Sequence, residues 1–367
     1  MTANRKVPAL PADDFPQTKS IADPLKPDYL ADVNRQHQTG VNMKIFLTGG
    51  TGFIGQYVAH RLAKGGHSIR CLVRKTSHTE TLKQLGAELA PGDVTDKASL
   101  LDGMRGCDWV FNLANVYSFW EPDKRVYSQV NIGGTRNVLE CALETGVSKV
   151  VHVSTIGIYG KPAAAPITED SPVGPTHFSE YFRTKYEGDL VAWELYKTRS
   201  LPLVMIYPVA VLGPGDTKTT GQYIERLVRR RMPARVLEDS LFTFVHVRDV
   251  AEAIVRAAEK KDNLGEKYIV GNARLTFGDI NRMVGEIAGV PLPRLRLPDF
   301  MAAVNARLLT WLADVIKKPP VWDLSVDMVR VMKEGFVADG GKAERELSLV
   351  YTPIRTAIEE IISTHRL

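Results

Sequence analysis

The chain has 367 residues, of which 44% are hydrophobic and 24% are charged, and its formal net charge is +5. These values are ordinary for a globular protein, and they exclude collagen-like, coiled-coil and wholly disordered chains. A charge excess this small over so long a chain argues against a nucleic-acid partner.

The three cysteines, Cys71, Cys107 and Cys141, lie far apart, with no Cys-x-x-Cys pair and no zinc-type spacing to histidine. This spacing argues against a disulfide framework and a metal site, and it favours a reducing, cytoplasmic location. No run of about 18 uncharged apolar residues occurs, so the sequence predicts no membrane-spanning helix.

Residues 1–42 differ from the rest of the chain. They contain five prolines, five acidic and five basic residues, and few large apolar side chains. A secretory signal needs a continuous apolar stretch and a transit peptide avoids acidic residues, so neither fits. We expect an extended or disordered N-terminal arm.

Short apolar runs alternate with helical patterns from residue 44 onward. We expect strands over 44–48, 68–73, 87–89, 109–113, 149–154 and 203–206, and helices over 53–64, 82–85, 130–144 and 181–196. This alternation predicts an α/β fold with a doubly wound parallel Rossmann sheet and a smaller C-terminal substrate-binding lobe. The predicted nucleotide-binding domain is 43–211 with 241–267, and the lobe is 212–240 with 268–367.

A glycine-rich loop follows the first predicted strand and opens the first helix. Glycines at Gly49, Gly52 and Gly55 permit a tight turn and a close approach of the backbone to a pyrophosphate. The helix N-terminus then faces the anion. The loop predicts a dinucleotide site that includes Gly49, Thr51, Gly52, Phe53, Ile54 and Gly55.

The end of the second strand indicates which dinucleotide binds. The segment Arg70-Cys71-Leu72-Val73-Arg74-Lys75 has no acidic residue to accept the ribose 2′-hydroxyl of NAD. A guanidinium binds a phosphate through two hydrogen bonds. We therefore expect NADP rather than NAD, with Arg74 on the 2′-phosphate and Lys75 beside it. The alternative is that this basic strand end is only solvated.

Tyr181 and Lys185 lie four residues apart on a predicted helix and share one face. A tyrosine with a pKa near 10 transfers protons poorly at neutral pH, and a neighbouring ammonium favours its ionised form. The pair predicts an acid/base tyrosine with Lys185 on the ribose hydroxyls. Thr155, after a strand end, is the candidate to bind the substrate oxygen beside Tyr181.

These motifs together resemble the extended short-chain dehydrogenase/reductases of the NAD-dependent epimerase/dehydratase type. The chain is most similar to dihydroflavonol-reductase-like and hopanoid-associated sugar-epimerase-like members. The matching stretches run in family order and are 47–55, 92–93, 110–114, 131–137, 153–160, 181–185, 208–216 and 244–254.

The resemblance implies further contacts with the cofactor. They are Asp93 and Val94 at the adenine, Asn112, Leu113 and Ala114 in the groove, and Tyr207, Pro208 and Val211 near the nicotinamide. It also implies a homodimer formed through the helices at 131–145 and 180–197.

Several positions depart from the family pattern. Many relatives have His at Asn112 and Arg at Tyr207. Sugar-nucleotide enzymes often have Arg-Asp at the place that reads Leu241-Phe242-Thr243 here, with no charge to bind a diphosphate. Arg248 replaces the usual acidic residue. These differences argue against a nucleotide-sugar substrate.

Aromatic residues follow a predicted strand end, where ligands of α/β proteins bind, and they suit an apolar or aromatic small molecule. They include Tyr117, Phe119 and Trp120; the alternative is that they pack on the C-terminal part. The expected substrate contacts are Asn115, Tyr117, Trp120, Ile156 and His177.

A late apolar segment, 300–316, carries Asn305, Arg307 and Asp314 and predicts an amphipathic helix. Such a helix packs on its own domain or makes peripheral contact with a membrane surface. Arg226, Arg229, Arg230, Arg231 and Arg235 form a basic run, which fits a solvated face, an anionic substrate group or membrane headgroups.

The leading functional hypothesis is an NADPH-dependent oxidoreductase that reduces a carbonyl on a small or lipophilic molecule. Two alternatives stay open: a sugar epimerase or dehydratase that retains its cofactor, and a non-catalytic structural subunit that binds NADP. Retention of Tyr181 and Lys185 argues against the last.

Overall fold

A seven-stranded parallel sheet forms the centre of the computed structural model, which describes residues 42–161 and 165–365. The predicted N-terminal arm lies outside the described residues, apart from position 42. The strand order is β3-β2-β1-β4-β5-β6-β9. These strands are β1 Lys44–Thr48, β2 Ser68–Val73, β3 Glu88–Pro91, β4 Trp109–Asn112, β5 Lys149–Val153, β6 Leu203–Pro208 and β9 Lys267–Val270.

The central strands are apolar on both faces because helices cover both faces of a parallel sheet. Ile45, Phe46 and Leu47 in β1 are fully buried, and all five residues of β5 are buried. Ile45 pairs with Ile69 of β2 on one side and with Trp109 of β4 on the other. The predicted α/β Rossmann sheet is confirmed.

The chain leaves β1 toward β2 and leaves β4 toward β5, in opposite directions across the sheet. Right-handed crossovers therefore place the connecting helices on opposite faces, with a crevice where the direction reverses. The helices up to β6 are α1 Phe53–Lys64, α2 Glu80–Gln84, α3 Lys97–Met104, α4 Arg125–Tyr127, α5 Thr135–Thr145 and α6 Glu180–Arg199.

The helix that the sequence predicts over 130–144 has two parts. Residues Ser128–Gly134 form a π-helical segment, and α5 follows without a break. Gly134 packs against the loop that follows β3. A Cβ on Gly134 would come within 2.6 Å of Val94 Cγ2 in that loop. A π-helical turn marks a place where packing overrides regular helix geometry, and here it lies beside the candidate site.

A second, three-stranded sheet has the order β10-β8-β7, with β8 antiparallel to β10 and parallel to β7. Its strands are β7 Ala210–Leu212, β8 Leu241–His246 and β10 Ala273–Thr276. The remaining helices are α7 Thr219–Val228, α8 Val247–Glu259, α9 Phe277–Ala288, α10 Asp299–Ile316, α11 Val326–Glu334, α12 Gly341–Leu347 and α13 Ile354–His365.

The three cysteines are free and buried. Among residues 42–161 and 165–365, no helix is long and apolar enough to cross a membrane.

Candidate active site

The glycine-rich loop joins β1 to α1 at the crevice of the sheet. Gly49 has a φ of +70°, and a Cβ there would lie 2.8 Å from the backbone carbon of Leu113. A Cβ on Gly55 would lie 2.0 Å from the carbonyl oxygen of Gly49. The loop therefore packs directly on the end of β4 and on the first turn of α1, and only glycine fits at these two positions.

Helix α1 begins after Gly52, whose N–H donates to the Gly49 carbonyl at 2.9 Å. No side chain caps this helix end, and the first N–H groups of a helix have no partner inside it. This uncapped end fits the pyrophosphate of a dinucleotide. The predicted contacts Thr51, Phe53 and Ile54 lie on the loop and the first turn.

Two basic residues follow β2, and both are exposed: Arg74 and Lys75. The Arg74 N–H donates to Ser77 Oγ at 3.1 Å, which fixes the backbone of the turn. The ends of β2 and β3 are held together, because the Gly92 N–H, just after β3, donates to the Val73 carbonyl at the end of β2 at 3.0 Å. A cationic strand end at this place suits a 2′-phosphate.

The predicted adenine contacts lie after β3. The Asp93 carboxylate accepts hydrogen bonds from the Thr95 N–H at 2.9 Å and the Thr95 hydroxyl at 2.7 Å. Val94 is buried against Gly134. The π-helical segment therefore shapes this end of the groove.

The Thr48 hydroxyl holds the end of β4 through three hydrogen bonds. Thr48 Oγ1 donates to Asn112 Oδ1 at 2.7 Å and accepts from the N–H groups of Leu113 and Ala114 at 3.2 and 3.1 Å. Asn115 is exposed, and its amide donates to the Leu113 carbonyl at 2.9 Å. The four predicted residues 112–115 thus lie beside the glycine-rich loop.

Helix α6 carries the predicted catalytic pair. Ser179 caps the helix by accepting from the Phe182 N–H, and Tyr181 and Lys185 follow on its buried side. Lys185 Nζ donates to the Val153 carbonyl at the end of β5, at 2.8 Å. Burial lowers the pKa of Lys185 to about 8, and the charge of Asp189 opposes this shift.

The ionisation of Tyr181 differs from the expectation. Burial raises the pKa of Tyr181 well above its ordinary value, and Tyr117 and Asp189 raise it further. The sequence predicts that the Lys185 ammonium lowers the pKa of Tyr181. That prediction is wrong for this structure, because the cost of desolvating the phenolate outweighs the attraction of the ammonium. Tyr181 is therefore held as a neutral phenol.

The two hydroxyls after β5 have different partners. Ser154 Oγ donates to Asp189 Oδ2 at 2.7 Å and is buried. Thr155 Oγ1 accepts from the Gly157 N–H at 3.3 Å and is half-buried, so it retains its proton for a further partner. Ile156, a predicted substrate contact, is buried in the 3₁₀ turn Ile156–Tyr159.

A buried polar chain that the sequence did not reveal lies beneath Lys185. Asn112 Nδ2 lies 3.0 Å from His152 Nδ1, and His152 Nε2 lies 3.4 Å from Asp189 Oδ1. Burial lowers the pKa of His152, and the charge of Lys185 lowers it further. Asp189 is four residues after Lys185, so helical spacing was the one available signal for it.

Asn131 is a second residue that sequence reasoning did not single out. Its side chain is buried in the π-helical segment, accepts from the Val116 N–H at 2.8 Å and donates to Thr184 Oγ1 at 3.0 Å. A Cβ on Gly188 of α6 would lie 2.5 Å from the Asn131 carbonyl oxygen. Asn131 therefore fixes the loop before Tyr117 to the catalytic helix.

Aromatic rings surround the side chain of Tyr181. The Tyr117 and Phe119 ring centroids lie 5.2 and 6.1 Å from that of Tyr181, both edge-to-face. Phe119 also packs edge-to-face on Phe182 at 5.8 Å. The aromatic loop and Tyr181 therefore form one apolar wall.

A cavity of about 480 Å³ opens next to this wall. Tyr117, Phe119 and Trp120 line one side, and Lys317 and Met328 of the C-terminal part line another. The volume suits a small organic ligand. The indole N–H of Trp120 is engaged by Asp314 of α10 at 2.9 Å.

Other predicted site residues lie around β6 and β7. Tyr207 is buried in the core against Tyr159, with ring centroids 5.9 Å apart, so only its backbone is available to a cofactor. Pro208 ends β6, and Val211 pairs with Val245 in the second sheet.

His177 lies apart from the other predicted substrate contacts. Its ring packs on Tyr186, with centroids 5.1 Å apart. Burial lowers the pKa of His177, and Arg183 lowers it further. Tyr186 lies on another side of α6 from Tyr181, because five residues turn a helix by about 140° beyond one full turn.

The other predicted residues converge on the crevice. The glycine-rich loop, the β4 end, Thr155, Tyr181 and Lys185 occupy the carboxyl edge of the sheet, where ligands of such folds bind. Within residues 42–161 and 165–365 no group of three or more His, Cys, Asp or Glu side chains could hold a metal ion.

Known proteins resemble this chain over most of its length. Sterol demethylase protein B of Methylococcus capsulatus is 30% identical over 329 residues, which cover 88% of this chain and 98% of that protein. Cinnamoyl-CoA reductase 1 of Petunia hybrida is 30% identical over 257 residues, which cover 64% and 74% of the two chains.

The crystal structure of gox2253 is 34% identical, with a TM-score of 0.77, and the match covers 89% of this chain and 98% of that one. A model of the NAD dependent epimerase/dehydratase family matches residues 45–271. Those residues contain the glycine-rich loop, the aromatic loop and the Tyr181–Lys185 pair. The chain belongs to the NAD-dependent epimerase/dehydratase family and is an NAD(P)-dependent enzyme.

Proposed function

We propose that this enzyme is an NADP(H)-dependent oxidoreductase that acts on a carbonyl or alcohol carbon of a lipophilic small molecule. The observation that carries the proposal is the position of Tyr181. Its side chain is buried against Tyr117 and Phe119, which line a cavity of about 480 Å³, and α6 also carries Lys185 at the end of β5. These apolar surroundings support an apolar substrate.

The residues of the crevice fit a dinucleotide. The loop Gly49–Gly55 would hold the pyrophosphate, the exposed Arg74 and Lys75 the 2′-phosphate, and Asp93 and Val94 the adenine. Lys185 would donate to the ribose hydroxyls. When bound, the nicotinamide supplies or accepts the hydride.

Tyr181 is suited to donate a proton. Burial keeps it protonated at neutral pH, so it can protonate a carbonyl oxygen as that oxygen gains negative charge. In the reducing direction, Tyr181 would give its proton to the carbonyl oxygen as the carbonyl carbon is reduced, and the alcohol would leave. The phenolate regains a proton from water, and the Lys185 ammonium and Thr155 hydroxyl orient the reacting groups.

The residues at the usual diphosphate-binding place support a lipophilic substrate over a nucleotide sugar. Phe242 packs on Phe277 and Phe336, with centroid distances of 5.3 and 6.2 Å, and Thr243 Oγ1 donates to the Ala338 carbonyl at 3.3 Å. Two relatives named for sterol demethylation and cinnamoyl-CoA reduction agree with a substrate that has an apolar part.

The proposal includes the division into lobes and a homodimer. Lys317, Pro319, Pro320 and Met328 contribute to the cavity, which supports a substrate-selecting role for 212–240 with 268–367. Residues 43–211 with 241–267 would bind NADP. The proposed homodimer forms through α5 and α6, and the exposed Leu190 on α6 is a candidate contact residue. Light scattering, which measures the mass in solution, tests it.

The direct test of the mechanism is Tyr181→Phe. We expect turnover to fall by at least about 100-fold while the NADPH dissociation constant stays within about twofold, since the phenol acts only in proton transfer. Tyr186→Phe, on the other side of α6, is the matched control and should leave turnover unchanged. Full activity in Tyr181→Phe would refute the mechanism.

Arg74→Ala tests the cofactor choice. Losing a charge-assisted phosphate contact of about 1.5–3 kcal/mol should weaken NADPH binding by about 10-fold or more and leave NADH binding nearly unchanged. Arg105→Ala, another exposed arginine, is the control. If Arg74→Ala weakened NADPH and NADH binding equally, the proposal that Arg74 binds the 2′-phosphate would be wrong.

Calorimetric titration of nucleotide-free protein with NADPH and NADH separates the competing functions. Preference for NADPH with free exchange supports the oxidoreductase and justifies a screen of lipophilic carbonyl compounds. Tightly retained nucleotide, with turnover but no net change in nicotinamide absorbance, would instead assign an epimerase or dehydratase. Retained nucleotide without any turnover would assign a structural subunit.

A further inference from the structure

Helix α10, Asp299–Ile316, has its small residues inside and its large apolar residues outside. Ala302, Ala306 and Ala313 are buried, and Ala306 packs on Leu237 and Val329. On the opposite side, Phe300 is 68% exposed. An ordinary amphipathic helix of a globular protein shows the reverse arrangement.

The exposed side chains form one continuous stripe. At 100° per residue, Phe300, Val304, Leu308, Trp311, Leu312 and Val315 fall within about 120° of the helix circumference, along about 22 Å of its length. Leu308 is 61% exposed and Trp311 is 62% exposed. We call this stripe the α10 face. Contiguous exposed apolar surface of this kind marks a contact with a partner or a membrane.

The α10 face continues past the end of the helix. Val321 and Trp322, in the 3₁₀ turn that follows, are also about half exposed. Leu295, shortly before the helix, is exposed as well. The apolar surface is therefore larger than one helix, and two tryptophans lie on it, a residue that favours the interface between water and lipid.

Cationic side chains surround this apolar surface. Lys317 and Lys318 follow α10, Arg307 flanks the stripe, and Arg294 precedes the helix, all exposed. The basic run lies beside them, because Arg226 donates to the Trp322 carbonyl at 3.1 Å. The sequence continues from that helix end with three exposed arginines, Arg229, Arg230 and Arg231.

The nearby acidic groups offset only part of this charge. Asp314 accepts from the neutral indole of Trp120 and keeps its negative charge, while Asp323 lies 3.6 Å from Arg226 and Glu225 lies 2.9 Å from Arg229. Asp299, at the N-terminus of α10, is the remaining carboxylate of the helix. The surface is thus apolar at its centre and positively charged at its edge.

We propose that the α10 face docks on the surface of a bilayer that contains anionic lipid. An apolar stripe between cationic groups matches acyl chains at the centre and anionic headgroups at the edge. Helix α10 does not qualify as a membrane-spanning helix, so it lies in the plane of the interface. A second copy of this surface is a poorer partner, because a two-fold contact would place like charges together.

The docked position also connects the bilayer to the cavity. Lys317, Pro319 and Pro320, just after α10, line the cavity together with Trp120, and the Trp120–Asp314 hydrogen bond joins the aromatic loop to the helix. Resting on the proposed function, this geometry indicates that the lipophilic substrate enters the cavity beside the aromatic wall from the membrane. Docking itself is measured without turnover, so the two proposals can fail separately.

Co-sedimentation of the full chain with vesicles tests the docking. We expect strong partition onto phosphatidylcholine vesicles that contain phosphatidylglycerol, and at least tenfold weaker partition for Leu308→Ser/Trp311→Ser and for Lys317→Glu/Lys318→Glu. Val350→Ser, at a residue 88% exposed elsewhere on the surface, should bind like wild type. Circular dichroism of each variant verifies that it is folded.

Depth-dependent quenching supplies an independent readout. Brominated acyl chains should quench tryptophan fluorescence in the wild type and in Tyr181→Phe, and Trp311→Phe/Trp322→Phe should lose most of that quenching. Absence of vesicle binding by the wild type would overturn the proposal. So would a dimer that Leu308→Ser/Trp311→Ser dissociates while vesicle partition is unchanged, because the face would then belong to a second copy.

Discussion

Replacing the buried Lys185 by methionine should stabilise the nucleotide-free protein at neutral pH while destroying its activity. The side chain of Lys185 is 2% exposed, and its pKa falls from 10.5 to about 8 because burial disfavours the ammonium ion. Methionine has a similar unbranched stem and carries no charge. The substitution therefore removes the desolvation cost together with the group that would bind the ribose.

The expected size follows from the pKa shift. A lowering of about 2.5 pKa units means that the charged form costs the folded state about 3 kcal/mol. Losing the hydrogen bond to the Val153 carbonyl costs about 1 kcal/mol. At pH 7 Lys185→Met should therefore exceed the wild type by about 2 kcal/mol in free energy of unfolding.

The sign of the pH dependence is fixed as well. The folded-state pKa of Lys185 is lowered, so the unfolded chain binds the proton more tightly between about pH 8 and pH 10.5. The cost to the folded state is complete below about pH 8 and disappears as the pH rises through that window. From pH 7 to pH 10 the wild type regains about 2.5 kcal/mol, so the advantage of the variant falls to about zero.

Urea unfolding of nucleotide-free protein at pH 7 and pH 10, followed by circular dichroism, measures both quantities. Lys83→Met, at an exposed residue of α2, is the control for the loss of one surface lysine. The reasoning would be refuted if Lys185→Met were less stable than the wild type at pH 7. A stability difference that is the same at both pH values would refute it equally.

Two further substitutions test the packing around the site. Gly55→Ala places a methyl group 2.0 Å from the Gly49 carbonyl, and the displaced loop should bind NADPH at least about tenfold more weakly by calorimetry. Gly133→Ala, whose added methyl meets its nearest atom at 3.8 Å, should bind normally. Phe336→Ala removes a buried ring and should lower the free energy of unfolding by about 3–4 kcal/mol. Phe300→Ala, at an exposed ring, should change it by less than about 0.5 kcal/mol, and similar effects for both would contradict the assigned burial.

Local patterns in the sequence were sufficient to predict the parallel sheet and its glycine-rich loop. The predicted elements 44–48, 53–64 and 68–73 coincide with β1, α1 and β2. Their apolar runs and glycines are short-range signals, because a strand buried on both faces and a helix capped by glycine each have a distinctive composition. Alternation of strand and helix then left few topologies possible.

Packing between distant residues produced features that the local sequence patterns did not predict. The helix predicted over 130–144 starts in a π-helical segment, where Asn131 contacts Val116 and Thr184. His152 reads as one polar residue in an apolar strand, and only the fold brings it between Asn112 and Asp189. Contacts between residues 15 to 53 positions apart leave no periodic trace in a sequence.

The ionisation of Tyr181 and Lys185 likewise depended on tertiary structure. Helical spacing placed Tyr181 and Lys185 on one face, and it indicated that the lysine would favour the phenolate. The surrounding rings of Tyr117 and Phe119 bury the phenol instead, and desolvation then raises its pKa. Spacing along a helix reports which groups are neighbours and carries no information on how much water reaches them.

The sequence by itself determined the sheet, the glycine-rich loop and the position of the tyrosine–lysine pair on α6, because each of these depends on residues close together in the chain. Only the tertiary structure decided how α10 is oriented. The sequence predicted an amphipathic helix, and packing placed its alanines inward and Phe300, Leu308 and Trp311 outward. Which side of an apolar helix is buried depends on the surface it meets, and that surface comes from distant parts of the chain.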